Sequence, residues 1–278
     1  MKTSKFLSIA AACLLFTTLY SCKSNNTENA VENKTDISAD KLSQIKSLGF
    51  STDNVRKIDE GYLVEGDILL TDDNLTEPAA GANLNIAETE QYRTTNVVKS
   101  LPRVVTVSVT NLPQVYSDAV NTMISRYNSL GLRLTFQRAS AGAKGNIDIV
   151  GFNEGPSGGF ITLGSSGFPT SSGAPYSQVK MNTNAAAYGT NPNLLYLASV
   201  LQHEVGHCIG FRHTDYMNRA FSCGSSGAGN EGASNVGAVR IPGTPSAPDA
   251  ASFMLACSNG GNRTFNANDV IAINYLYK

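Results

Sequence analysis

All three histidines of this 278-residue chain fall within eleven residues, His203-Glu204-Val205-Gly206-His207-Cys208-Ile209-Gly210-Phe211-Arg212-His213. Three residues placed at random would take this spacing in roughly one arrangement in 13,000, so the cluster asks for a chemical reason. The pattern H-E-x-x-H-x-x-G-x-x-H supplies one. Two imidazoles four residues apart on a helix share one face and grip one Zn²⁺, and a glutamate beside the first stands next to the metal as a general base. Gly210 is placed to end that helix in a left-handed turn, where a side chain would clash, and the turn returns His213 as a third ligand. Three protein ligands leave a fourth position open for water, the mark of a catalytic rather than a structural zinc site. Metal-bound water has a pKa near about 7 and Glu204 can relay its proton, so the expected reaction is hydrolysis of a polarised carbonyl.

A helix must hold these residues. Asn191 as N-cap, Pro192 at the first helical position and the apolar series Leu194, Leu195, Leu197, Val200, Leu201, Val205 and Ile209 predict it. Upstream, Val104–Val109, Leu132–Gln137 and Asn146–Val150 read as strands, and Pro113–Leu130 as an amphipathic helix. Gly155 to Tyr176, crowded with Gly, Ser and Pro, reads as a long surface loop. Gln178, Val179, Lys180, Met181 and Asn182 form a short strand just before the zinc helix. A closing helix opens at Asn266, with Asp269 three residues later as a capping-box partner.

The long motif resembles that of the metzincin clan of zinc endopeptidases, whose members carry a methionine in a tight turn beneath the metal. Met254, 41 residues after His213, matches that turn. Within the clan, the stretch Leu201–Tyr216, together with Ile241–Pro245 and Pro248–Met254, resembles the bacterial dual-action HEIGH metallopeptidases, with Val205 where that family has Ile. The resemblance implies an α+β zincin: a twisted mixed β-sheet with an active-site helix above, and an irregular C-terminal part with the Met-turn and a final helix below. It also implies one catalytic zinc on His203, His207 and His213, Glu204 as the catalytic residue, and a peptide or protein substrate. The strand Gln178–Asn182 would lie at the sheet edge and take substrate backbone antiparallel, since an open edge offers unpaired N–H and C=O groups. Astacins differ, with Glu after the third His and Tyr two residues after the Met, where this chain has Thr214 and Ala256.

Val64-Glu65-Gly66-Asp67 resembles the F-x-G-D motif of astacin-type prosegments, in which the Asp coordinates and blocks the zinc. A carboxylate is a competent zinc ligand, so Asp67 is the candidate block. The competing reading is a short strand that ends at a Gly-Asp turn.

Lys2 and Lys5, the apolar run Phe6–Tyr20 and the closing Leu19-Tyr20-Ser21-Cys22 read as a lipoprotein-type signal over residues 1–21, with Cys22 the lipidated residue. The organisation that follows is a polar tether at 22–40, a leader or propeptide-like segment at 41–100 and one catalytic domain at 101–278. A hydrophobic content of 41% with 15% charged residues suits an exported globular enzyme. Loss of the two signal lysines takes the net charge from −1 to −3, and nothing basic invites nucleic acid. The expected protein is a monomer that meets a membrane only through its lipid, on the outer membrane or cell surface. Cys208, Cys223 and Cys257 remain for one disulfide of unassigned pairing, and a cysteine as fourth zinc ligand is the competing reading. Two rival functions use the same residues: a surface-anchored zinc-binding adhesion or binding module without turnover, and a zinc hydrolase acting on another carbonyl.

Overall fold

The computed structural model describes residues 37–48, 50–76, 91–157, 159–224, 238–245 and 248–278. The signal segment, Cys22 and most of the tether lie outside the described residues. The end of the tether does not: Ser38 caps a helix, α1 (Ala39–Ser47), by accepting from the Lys41 amide.

Three short strands follow, β1 (Arg56–Ile58), β2 (Gly61–Val64) and β3 (Ile68–Leu70), then the single turn α2 (Asp72–Thr76). They form an antiparallel meander with its own apolar centre, in which Ile45, Phe50, Val55, Tyr62, Val64, Ile68, Leu70 and Leu75 are buried. The β2–β3 connection is a three-residue hairpin tip, Glu65-Gly66-Asp67, because Val64 pairs with Ile68. Glu65 and Gly66 both take positive φ there, +57° and +93°.

The leader segment has a second part of different character. Strand β4 (Tyr92–Arg93) pairs with a late strand, Tyr92 accepts from the Arg212 amide, and Thr94 donates to Gly210. Residues from Gln91 onward are thus woven into the body that carries the histidines.

That body is built on β5 (Arg103–Val109), α3 (Gln114–Asn128), β6 (Leu134–Arg138), β7 (Ile147–Phe152), β8 (Gly164–Ser165) and β9 (Gln178–Asn182). The sheet order is β6-β5-β7-β9-β8, with every pair parallel except β9–β8. After the short α4 (Ala185–Tyr188) comes the motif helix α5 (Leu194–Cys208), then α6 (Ala220–Cys223), β10 (Val239–Arg240), which pairs with β4, and α7 (Ala267–Tyr277). The result is an α+β fold with a mixed sheet.

Helix α3 buries Tyr116, Ala119, Val120, Met123 and Tyr127, a single stripe at helical spacing, against the sheet and α5. Tyr127 donates its hydroxyl to the Gln202 carbonyl and so pins α5 one residue before the first histidine. α7 opens with the expected capping box between Asn266 and Asp269. Among the described residues, no helix is long and apolar enough to cross a membrane.

Two expectations need correction. The N-cap of α5 is Asn193, two residues later than Asn191; its side chain accepts from the amides of Leu195 and Tyr196, and Pro192 stands just outside the helix. The strand Gln178, Val179, Lys180, Met181 and Asn182 is not the sheet edge. It is paired on both sides, with β7 along its length and with β8 at Lys180 and Met181. The edge is β8, which lies inside the Gly- and Ser-rich stretch expected to be a loop. Glycine and serine carry little strand propensity and no alternating pattern, so this edge has no sequence signature.

Candidate metal centre

Helix α5 delivers His203 and His207 one turn apart, both buried. Beyond its C-cap, Ile209, the chain turns through Gly210 at φ +110°, where a Cβ would meet the Asn96 carbonyl oxygen at 3.0 Å. This reversal brings His213 back beneath the helix. His203 Nε2 and His213 Nε2 lie 3.1 Å and 3.2 Å from His207 Nε2. Tetrahedral ligands at Zn–N distances of about 2.0–2.1 Å stand about 3.3 Å apart, so the three nitrogens trace one face of such a site.

The far side of each ring explains the orientation. Nδ1 of His203 is 2.9 Å from the Phe253 carbonyl oxygen and Nδ1 of His207 is 2.8 Å from that of Phe211. Each Nδ1–H donates to its carbonyl, which leaves the Nε2 lone pairs turned inward toward a common point. Burial and the two neighbouring imidazoles hold His207 well below the usual histidine pKa, in the neutral form that a metal needs.

The fourth corner is a carboxylate from the hairpin tip. Asp67 Oδ2 sits 3.1 Å from His213 Nε2 and 3.3 Å from His203 Nε2. One donor atom from each of Asp67, His203, His207 and His213 lies within 4.8 Å of the others. Lone pairs and a carboxylate facing one another at these distances are what a divalent cation satisfies, so the donor set fits zinc. Burial alone would raise the Asp67 pKa, but the surrounding His213, His203 and His207 outweigh it and hold the group well below the usual carboxylate range.

Glu204 is buried on α5 and faces β8. Ser166 Oγ lies 2.8 Å from its Oε2 and 2.9 Å from its carbonyl oxygen. Gly164 is a glycine for this reason: a Cβ there would stand 2.7 Å from Glu204 Oε1. Burial first, and the Asp67 charge second, push the Glu204 pKa well above the ordinary carboxylate value.

Met254 is fully buried beneath α5. A Cβ on Gly206 would lie 2.5 Å from its sulfur. Its carbonyl accepts from the Thr214 amide, one residue past the third histidine. Phe253, its neighbour, is positioned through Asp269, which accepts from the Phe253 amide and from the Ser252 hydroxyl.

The three described cysteines resolve into a Cys223–Cys257 disulfide and a buried free Cys208. Among the described residues no cysteine belongs to the metal cluster, whose fourth donor is Asp67, and the Cys208 sulfur lies 3.9 Å from the Gln178 carbonyl, so the fourth-ligand cysteine is set aside. The Tyr188 hydroxyl donates to the Leu163 carbonyl.

Several residues of the site carried no sequence assignment. Ser166 and Gly164 had no signal. Arg212 had one, as a lone cation inside an otherwise apolar part of the motif. Its guanidinium is buried and 2.5 Å from Glu65 Oε1, so the hairpin tip places a second carboxylate in the site.

The hairpin also lies along the sheet edge. Ile68 bridges Ser166 in parallel, the Ser166 amide donates to the Asp67 carbonyl at 2.9 Å, and the Leu69 amide donates to the Ser166 carbonyl at 2.6 Å.

A search of curated proteins finds no match. Two solved structures of similar shape, titled "Structure of Myroilysin" and "Crystal structure of myroilysin", share 13% and 14% identity with TM-scores of 0.38 and 0.39. They cover 63% and 66% of this chain and 79% and 86% of their own. The model of the dual-action HEIGH metallopeptidases matches residues 62–277, a span that begins in β2 and includes both hairpin carboxylates as well as all three histidines. With a zinc-competent three-histidine site and a family match over most of its length, the chain belongs to the dual-action HEIGH metallopeptidase family and is a zinc metalloendopeptidase.

Proposed function

We propose that this protein is an exported endopeptidase that hydrolyses peptide bonds with Glu204 as its general base, and that the leader holds it latent through Asp67. The observation that carries the reading is the convergence of three inward-facing Nε2 atoms with a hairpin carboxylate, one helical residue away from a buried glutamate.

His203, His207 and His213 would hold the zinc, which when bound supplies a Lewis acid for the scissile carbonyl and lowers the pKa of water. Glu204 takes a proton from the attacking water as its oxygen bonds to the carbonyl carbon. It then passes that proton to the amide nitrogen as the C–N bond breaks, which leaves a carboxylate and an amine. Ser166 keeps the Glu204 carboxylate from swinging away.

Met254 serves as the Met-turn residue: it fills the space under Gly206 and anchors the residue after His213. The backbone of Ser166 at the β8 edge, now hydrogen-bonded to the hairpin, is the natural place for an extended substrate to add. Asp67 takes the position that the attacking water needs, so the leader must withdraw before turnover. Export and a lipid anchor at Cys22 rest on the sequence of residues 1–22.

The test is digestion of a mixed peptide library by the zinc-loaded soluble chain starting after Cys22, beside Glu204→Ala and Asp67→Ala, read by mass spectrometry. Cleavage is expected to rise in Asp67→Ala and to vanish in Glu204→Ala. Cleavage that survives in Glu204→Ala removes the general-base role, and equal activity in Asp67→Ala and the parent removes the block.

A further inference from the structure

We infer that Arg212 is a carboxylate-binding site beside the metal, and that it receives an acidic side chain of the substrate once the leader hairpin has withdrawn. The inference deepens the peptidase reading and rests on the withdrawal of the hairpin.

Arg212 is a fully buried side chain in the described structure. Its guanidinium is 2.5 Å from Glu65 Oε1, its Cζ stands 4.4 Å from the centre of the Phe50 ring, and Tyr216 lies beyond at 5.4 Å. Two of these three neighbours, Glu65 and Phe50, come from the leader. Tyr216 and the Arg212 backbone, whose amide donates to Tyr92, belong to the catalytic body. Withdrawal of the whole meander would therefore take away the Glu65 carboxylate and the Phe50 ring, and open the face of the guanidinium that they cover, while Tyr216 stays in place.

The pocket is tied to the metal by His213. Glu65 Oε2 is 3.9 Å from His213 Nδ1, on one edge of the imidazole, and Asp67 Oδ2 is 3.1 Å from Nε2, on the other. The tip thus shows how one short peptide spans both positions, with one carboxylate at the metal and a second, two residues away, on Arg212. A substrate bound at the same nitrogens would have to place its carboxylate where that of Glu65 now lies, 3.9 Å from His213 Nδ1. A guanidinium pairs best with a carboxylate, because its planar fork matches two oxygens and water competes poorly in a buried site. An amide of the same shape cannot offer that charge.

The first arm of the test needs no turnover. In the zinc-loaded full chain starting after Cys22, Glu65→Ala vacates the position of the carboxylate. Sodium acetate is then expected to raise the melting temperature of Glu65→Ala by about 3 °C, with acetamide and sodium chloride as inactive controls and the parent unmoved. Glu65→Ala/Arg212→Met should not respond; where it does not fold, Arg212→Lys takes its place and should respond less.

The second arm compares peptides that differ only by Glu or Gln at one position, cleaved by Glu65→Ala/Asp67→Ala. A kcat/KM ratio of about 10 in favour of Glu is expected, falling toward one when Arg212 is also changed. Acetate that protects the parent and the variants alike, or a Glu/Gln ratio near one, or a preference that survives the loss of Arg212, overturns the inference. Arg212-dependent rescue by acetate without any peptide cleavage supports the site and counts against the peptidase reading, so the two fail separately.

Discussion

Gly206→Ala decides whether Met254 really fills the space under the motif helix. In the interior of α5, replacement of glycine by alanine normally stabilises by about 1 kcal/mol, since glycine gives up more backbone freedom on folding. Here the new Cβ would stand 2.5 Å from Met254 Sδ and 2.9 Å from Phe253 Cε2, against a comfortable separation of about 3.5–4.0 Å. Both side chains are almost wholly buried, so neither has room to retreat without moving its backbone. Overpacking of this kind costs about 1–3 kcal/mol, which leaves a net loss of about 0–2 kcal/mol once the helical gain is subtracted, where an unobstructed site would show a gain of about 1 kcal/mol. The displaced backbone carries the Phe253 carbonyl that orients His203, so zinc affinity should fall by about 10–100-fold as well. Met254→Ala alone should cost about 2–5 kcal/mol. Added to Met254→Ala, the Gly206→Ala change should be neutral or stabilising, because the obstructing sulfur has gone and the helical gain returns. Urea unfolding of the four proteins with zinc in fixed excess measures the cycle, and chelator competition measures the affinity. A stabilised Gly206→Ala single variant, or strict additivity across the cycle, would refute this packing.

Gly164→Ala places a Cβ 2.7 Å from Glu204 Oε1 and, with Glu204 as the proposed base, should lower kcat/KM by about 100-fold while unfolding stays near that of the parent, because the change displaces Glu204 rather than the core; an equal activity denies the contact. Cys223→Ser/Cys257→Ser opens a loop with a sequence separation of 34 and should cost about 3–4 kcal/mol in chemical denaturation, whereas Cys208→Ser should leave the disulfide intact by thiol titration. Burial pushes Asp269 up to about 6 despite four hydrogen-bond donors. A raised carboxyl contributes stability that is complete below its unfolded value of 3.8 and is lost as pH rises through about 6, by up to about 3 kcal/mol. Asp269→Asn should lack that slope in urea unfolding between pH 4 and 7, and parallel profiles for the two proteins would deny it.

The metal site was legible because its chemistry is local. His203 and His207 need only a helix and His213 only a reversal at Gly210, and the sequence states both at fixed spacing. Asp67 was legible as a candidate because its tetrapeptide matches a known pattern, although 136 residues separate it from the first histidine. Glu65, in the same tetrapeptide, was missed because its importance lies in a partner, Arg212, that only the fold brings near. The edge strand was missed for a different reason: Gly164 is constrained by what it must not touch, the Glu204 side chain, and a residue selected for absence of bulk reads as a loop. The N-cap slipped by two residues because Asn191 and Asn193 flank Pro192 alike, and only the side-chain geometry separates them.

With Asp67 as the proposed block, the inhibitor and the site it fills belong to one chain, so closure is unimolecular. A tethered inhibitor acts at an effective concentration set by its linker, in the millimolar range for a short one, and dilution does not weaken it. Scission of the backbone between the meander and Gln91 would turn that unimolecular closure into an ordinary bimolecular complex. The meander has its own apolar centre, with Phe50 stacked on Phe168 of the catalytic body. A severed leader would therefore stay docked until it was diluted, unfolded or digested, and cutting the chain and releasing the enzyme would be separate events. A concentrated, nicked sample would remain quiet, and the same sample would waken on dilution.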